Sequence, residues 1–278
     1  MILANLKDFD IEQIAFSGQC FRIDKINTMQ WQIIANNRRL IINRLKSNEY
    51  EFCCSDEEYE TIWSDYFDLQ TDYSEFKKKI YETRDPYLIA AANYGWGIRI
   101  LRQDLWETIV TFLISQRNNI PKIKRIIRRL CEPFGYTFPS PALLSDYSED
   151  KFKQIGLGYR AKYLVDIVQS IQKNELDLSY LKLQSTSESL KYLQQFNGIG
   201  PKIANCIILY SLHKIDAFPI DVWIQRIIDN RYNGQFTIGR FRGFAGIVQQ
   251  YMFFYERALK TKQKTIDEQL YNCYPQAM

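Results

Sequence analysis

The sequence predicts an α+β fold, mostly α: a small N-terminal antiparallel β-sheet domain followed by a larger helical domain. Two observations carry this. Short β-rich runs crowd into residues 20–54, and from about Leu101 onward apolar residues recur at helical spacing. In the first part, Cys20-Phe21-Arg22-Ile23, Trp31-Gln32-Ile33-Ile34, Leu40-Ile41-Ile42 and Tyr50-Glu51-Phe52-Cys53-Cys54 read as strands of a meander, with polar turn material such as Asn36-Asn37 between them. Residues 55–83, rich in acids, lysines and aromatics, read as helical. In the second part, Leu105, Ile109, Phe112 and Leu113 form one apolar face. Ile123, Ile126, Ile127 and Leu130 form another, and Leu164, Val165, Val168 and Ile171 a third. Pro121 falls where a first helical turn tolerates it, and Ser185 with Glu188 fits a capping box for a helix ending near Phe196. The joint lies near residues 84–100, with Asp85-Pro86, Gly95 and Gly97 as candidates, which divides the chain into 1–97 and 98–278.

Composition narrows the function classes. A chain of 278 residues with 15% aromatic content can bury a core. The net charge of +4 permits nucleic-acid binding without demonstrating it. Cys20, Cys53, Cys54, Cys131, Cys206 and Cys273 form no paired CxxC units and no tight four-cysteine cluster, and His213 is the one histidine. A metal or iron–sulfur centre is therefore not expected, and reduced thiols are. The start of the chain carries acids where a secretion signal needs an apolar stretch, and no run is long enough to cross a bilayer. The expectation is a soluble, intracellular protein with no membrane partner.

The most informative stretch is Phe196-Asn197-Gly198-Ile199-Gly200-Pro201-Lys202, flanked by helical patterns on both sides. Gly198 and Gly200, one residue apart, suit a tight hairpin and a close backbone approach to a ligand. Pro201 then starts the second helix, whose free N–H groups and dipole favour a phosphate. Such a hairpin grips a DNA backbone without reading sequence; an ordinary helix–turn–helix joint has the same local signature. Lys202 sits in the first turn of that helix, where the dipole disfavours a cation and so favours the neutral, nucleophilic amine; a solvated surface lysine is the bland reading. Asp221, after the extended approach of Pro219, reads as the N-cap of the next helix. A cap carboxylate there is also placed to stabilise positive charge.

Together these motifs resemble the helix-hairpin-helix (HhH-GPD) DNA glycosylases, and within them the 8-oxoguanine DNA glycosylase/AP lyases. The resemblance runs from Ser17-Gly18-Gln19-Cys20-Phe21-Arg22 through Leu101-Arg102-Gln103-Asp104, Gly156-Leu157-Gly158-Tyr159-Arg160-Ala161 and the hairpin to Phe244-Ala245-Gly246, nearly the whole chain in order. It implies a bifunctional glycosylase/lyase that flips the lesion out of double-stranded DNA containing oxidised guanine. Lys202 would attack C1′ and form a Schiff base that undergoes β-elimination, and Asp221 would stabilise the sugar's charge. Guanine N7 accepts a hydrogen bond, whereas N7–H of 8-oxoguanine donates. Gly18 matches the residue whose carbonyl accepts that donor, a contact that discriminates by about 1–3 kcal/mol.

By the same resemblance, Phe253 stacks on the base, Gln249 reads its Watson–Crick edge, and Cys206 and Pro219 belong to the pocket. Gly198, Gly200, Asn118 and Lys122 contact DNA, Tyr159 wedges beside the extruded nucleotide, and Arg160 contacts the estranged base. Arg117 stands where animal and fungal members have asparagine, Lys122 where they have arginine, and Trp223 where histidine is usual. Relaxed selectivity for the opposite cytosine is expected, since lysine cannot form arginine's planar fork. No cofactor is expected to be required, a monovalent cation in the hairpin is left open, and a monomer is expected. Two alternatives remain at this stage: a non-catalytic hairpin module that binds DNA, and an alkylated-base glycosylase of the same fold, against which Lys202 counts.

Overall fold

The β-rich runs pair into one antiparallel sheet in the order β1-β5-β4-β3-β2: β1 Ile2–Asn5, β2 Ile23–Asn27, β3 Gln30–Ala35, β4 Arg38–Arg44 and β5 Glu49–Phe52. The computed structural model describes the backbone of residues 1–273 and the side chains of 1–261, so the Cys273 thiol lies outside the described residues; the five described cysteines are unpaired. Alternation sets the register. Ile23 faces Ile33, Ile33 faces Leu40, Trp31 faces Ile42 and Ile42 faces Phe52, and all six side chains are buried. Asn36 and Asn37 both take left-handed backbone angles, φ 50° and 55°, as a two-residue hairpin turn requires.

Two N-terminal elements escaped the sequence reading. β1 adds an edge strand against β5, and a helix at Ile11–Phe16 is capped by Asp10, which accepts from the Gln13 N–H at 2.9 Å. Conversely, Cys20-Phe21-Arg22 is not strand; the ladder begins at Ile23. Residues 17–19 instead form a turn whose polar groups are bound by side chains and backbone from distant segments.

The helical periodicities hold. Helices span Leu105–Ser115, Ile120–Cys131 and Arg160–Gln172, each with its apolar stripe inward. The Ser185–Glu188 capping box is formed, but its helix ends at Leu193, short of Phe196, because the hairpin turn begins there. Asp85-Pro86 is a helix start rather than a joint. Asp85 accepts from the Tyr87 and Leu88 N–H groups at 2.9 and 3.1 Å, and Pro86 opens the helix Pro86–Tyr94. That helix packs on the long C-terminal helix Ala245–Cys273, and Tyr73, Ile80, Leu88 and Ala91 join the helical core. Residues 73–94 thus belong physically with the second part, whereas Phe9, Trp31, Trp63, Phe67 and Leu101 form the separate core under the sheet. Local sequence shows that these helices are amphipathic but not which core they face.

Candidate active site

The hairpin is built as its glycines demand. Ile199 is buried and anchors it, while Gly198 takes φ +83°, with Tyr163 packed so close that a Cβ would lie 2.6 Å from the ring's Cγ. Gly200 is extended (φ −84°, ψ −179°), and a Cβ there would meet nothing within 4 Å. The helix Pro201–Tyr210 that follows has no side-chain cap, and its first internal bond is Ala204 N–H to the Gly200 carbonyl. The Lys202 and Ile203 N–H groups therefore remain open at the positive end of the helix dipole, which is what an anion site needs. The Gly198 carbonyl accepts from Gln116 Nε2 at 3.0 Å, tying the hairpin to the 116–119 loop.

Beside the hairpin lies a cavity of about 640 Å³ whose walls include Gly18, Phe112, Asn118, Lys202, Asp221 and Phe253. Lys202 is half-buried, its ammonium 5.3 Å from the centre of the Phe112 ring. Asp221 caps the helix Val222–Tyr232, accepting from the Trp223 and Ile224 N–H groups at 2.9 Å each. One oxygen is thereby fixed, and the carboxylate is held at the cavity wall. Cys206, one turn beyond Lys202, is buried. Burial pushes its thiol up, the Lys202 charge opposes this and the Asp221 charge adds to it, so both charges reach the same spot. Gly200 lines the cavity too, so the hairpin and the catalytic candidates share one opening.

Gly18 faces the cavity from the other side. It takes φ +81°, and a Cβ there would lie 3.1 Å from Phe253 Cε1, so only glycine fits the turn without disturbing the ring. Among the described residues no donor reaches its carbonyl oxygen. Gln249, one turn before Phe253, is buried and its Oε1 has no hydrogen-bond partner, an arrangement that costs free energy unless a ligand supplies a donor. Gln249, Cys206 and Pro219 are buried and are not among the residues lining the cavity.

The proposed DNA contacts divide. Tyr159 is 50% exposed at the start of the helix Arg160–Gln172, its ring edge-on to Tyr163 and 4.4 Å from the Arg160 guanidinium carbon, so half of the side chain faces outward. Asn118, Arg117 and Asn119 line the cavity, with Arg117 in a left-handed conformation, φ 45°. Lys122 is exposed in the first turn of the next helix, where its N–H is capped by Asn119. Arg160 departs from its expected place. It is buried, and its guanidinium donates to the carbonyls of Gln116, Arg117 (3.1 Å) and Leu157 (3.2 Å). In this structure the group expected at the estranged base instead holds the 116–117 backbone, because the Gln116 and Arg117 carbonyls turn inward there and need donors.

Arg257 was missed. It lines the cavity, lies 5.2 Å from the Phe253 ring centre and donates to the Phe16 carbonyl at 3.2 Å. Burial lowers its proton affinity while Asp221 works against that shift. Its spacing four residues beyond Phe253, on the same helical face, was the available signal. A second cavity, about 630 Å³, lies between the sheet and the Ile120–Cys131 helix. Much of its positive charge is spent internally, on Arg22–Glu107 (2.9 Å) and Lys124–Asp24 (3.0 Å). Among the described residues no group of three or more His, Cys, Asp or Glu side chains could hold a metal ion, and no helix is long and apolar enough to cross a membrane.

Comparison with known proteins gives a consistent picture. Residues 1–109 match the family described as 8-oxoguanine DNA glycosylase, N-terminal domain, and residues 110–235 match the HhH-GPD superfamily of base excision DNA repair proteins. The chain is 35% identical over 158 residues to an N-glycosylase/DNA lyase of Saccharomyces cerevisiae, covering 49% of this chain and 42% of that protein. It is 36% identical over 173 residues to one of Arabidopsis thaliana, covering 57% and 46%. The matched segments thus span under half of these relatives' own length. Among solved structures, the 8-oxoguanine glycosylase/lyase of Clostridium acetobutylicum bound to double-stranded DNA superposes with a TM-score of 0.85 at 33% identity, covering 93% of this chain and 95% of that one.

Proposed function

This chain belongs to the 8-oxoguanine DNA glycosylases of the HhH-GPD superfamily, and on that premise we propose that it is a bifunctional glycosylase/AP lyase acting on oxidised guanine in duplex DNA. What supports the reading is that Lys202, Asp221 and Gly18, the last with its carbonyl unengaged, all line one nucleotide-sized cavity beside the hairpin. The hairpin amides take a backbone phosphate, and the target nucleotide rotates out of the stack into the cavity. Gly18 accepts from N7–H, Phe253 stacks on the base, and Gln249 turns its unpaired Oε1 to the Watson–Crick edge. The neutral Lys202 amine bonds to C1′ as the C1′–N9 bond breaks, and the base leaves with a proton. Asp221 stabilises the positive charge that develops on the sugar. Ring opening gives the Schiff base; removal of a C2′ proton then expels the 3′ phosphate and cuts the strand.

Tyr159 at the exposed rim serves as the wedge beside the extruded nucleotide. Lys122 and Asn118 face the opposite strand, where a lysine supplies charge without a planar fork, so selectivity for the opposite cytosine is relaxed. The alkylated-base alternative fits less well, because a lysine nucleophile and an unengaged carbonyl acceptor line the base site. A partner protein is not required by this chemistry, and the chain acts as a monomer.

Borohydride trapping on a duplex containing 8-oxoguanine tests the reading. A covalent adduct forms with the native chain and disappears in Lys202→Gln. Absence of an adduct with DNA binding intact returns the protein to a non-catalytic binding module. Repeating the assay with each of the four bases opposite the lesion checks the relaxed selectivity.

A further inference from the structure

The Gly18 carbonyl is the unengaged member of a triplet. Its neighbours on both sides are occupied: the Ser17 carbonyl accepts from Gln250 Nε2 at 2.6 Å, and the Gln19 carbonyl accepts from Gln103 Nε2 at 2.8 Å. Both amides lead to one residue of the catalytic helix. Gln250 Oε1 accepts from the Tyr210 hydroxyl at 2.6 Å, and the Gln103 backbone N–H donates to the Tyr210 carbonyl at 2.9 Å. Tyr210 lies eight residues, about two turns, beyond Lys202 on the same helix. Its ring stacks on Phe112 at 5.4 Å, and the Lys202 ammonium lies against Phe112. Gln250 and Tyr210 are 1% and 4% exposed, so neither bond competes with water. Burial also pushes the Tyr210 phenol well above its ordinary value, which keeps it a donor. Neither Tyr210 nor Gln250 lines the cavity.

We propose that Tyr210 and Gln250 are positioning residues for lesion discrimination: they clamp the turn that carries Gly18 to the helix that carries Lys202, and so set the distance between the base-reading carbonyl and the attacking amine. The chemical reason is geometric. A carbonyl that tells N7–H from N7 discriminates only while its direction is fixed relative to the reacting C1′. The Ser17–Gly18 turn has left-handed backbone at Gly18 and needs an external hold to keep that direction. The Gln250 amide supplies it from one side and the Gln103 amide from the other. The inference deepens the proposed function and rests on it.

The two steps of that function separate the test. Excision of 8-oxoguanine requires Gly18, whereas β-elimination at a preformed abasic site presents no base to it and uses Lys202 and Asp221 alone. Tyr210→Phe keeps the ring stack and removes one hydroxyl; Gln250→Leu removes both amide bonds. Each is expected to lower single-turnover excision of 8-oxoguanine by roughly tenfold and to narrow the preference for 8-oxoguanine over guanine, with cleavage at an abasic site unchanged within about twofold. The double variant should lose little more than Gln250→Leu, since the two groups act in series. Unchanged excision, or equal loss at both substrates, overturns the inference; the abasic-site activity serves as the control for folding. Failure of the native chain to excise 8-oxoguanine sinks the proposed function instead, a different and separately visible result.

Discussion

Replacing Gly198 by alanine isolates what the hairpin's conformation is for. A non-glycine residue at φ +83° costs about 1–2 kcal/mol. The added Cβ would also sit 2.6 and 2.7 Å from Cγ and Cδ2 of Tyr163, near the root of a ring that cannot swing away without leaving its own helix. Overpacking of this kind costs a further ~1–3 kcal/mol. Reduced freedom of the unfolded chain returns ~0.5 kcal/mol. The net expectation is a loss of roughly 2–4 kcal/mol, read as a lower urea midpoint at unchanged slope. Gly200→Ala is the matched control: its backbone is extended and its Cβ meets nothing within 4 Å, so stability should hold within about 0.5 kcal/mol. Yet that Cβ projects where a phosphate must approach. Affinity for duplex DNA, followed by fluorescence anisotropy at low salt, should fall roughly tenfold. The reasoning is refuted if Gly198→Ala is as stable as the native chain, or if Gly200→Ala loses stability rather than binding.

Three further outcomes follow from the site and its supports. Asp221→Asn keeps a good N-cap, so the melting temperature should move little, while excision falls by about 10²-fold or more; equal loss of stability would make Asp221 merely structural. Burial outweighs the Arg22 partner at 2.9 Å and pushes the Glu107 carboxyl up to about 7 from an ordinary 4.5. The folded state then binds more protons than the unfolded one between those values. Stability should therefore fall as pH rises through that window, by at most ~3 kcal/mol, and Glu107→Gln should flatten urea midpoints across it. Arg160→Met strands the inward carbonyls of Gln116 and Arg117, whereas Leu157 keeps the Arg160 backbone N–H, so a loss of about 2–3 kcal/mol is expected from chemical denaturation; a change under about 0.5 kcal/mol would show that the buried guanidinium does not hold the loop.

Much of this protein is written locally. Alternation in Trp31–Ile34 and Leu40–Ile42 specifies strands and their buried face, and the stripe from Ile123 to Leu130 specifies a helix. Gly198, Gly200 and Pro201 specify a hairpin, and Asp221 a cap, because these residues act through backbone angles and hydrogen bonds within a few positions of themselves. Tertiary structure alone decided the rest. Asp85-Pro86 reads equally well as a linker or a helix start, and only packing against the C-terminal helix assigns residues 73–94 to the second core. Arg160 reads as an exposed contact because its partners, the carbonyls of residues 116 and 117, lie more than forty positions away. The occupied carbonyls on either side of Gly18 depend on amides from Gln103 and Gln250, 84 and 233 positions further along the chain. Local chemistry fixes which conformations a segment can adopt; which distant donors and acceptors meet is settled only when burial forces every polar group to find a partner.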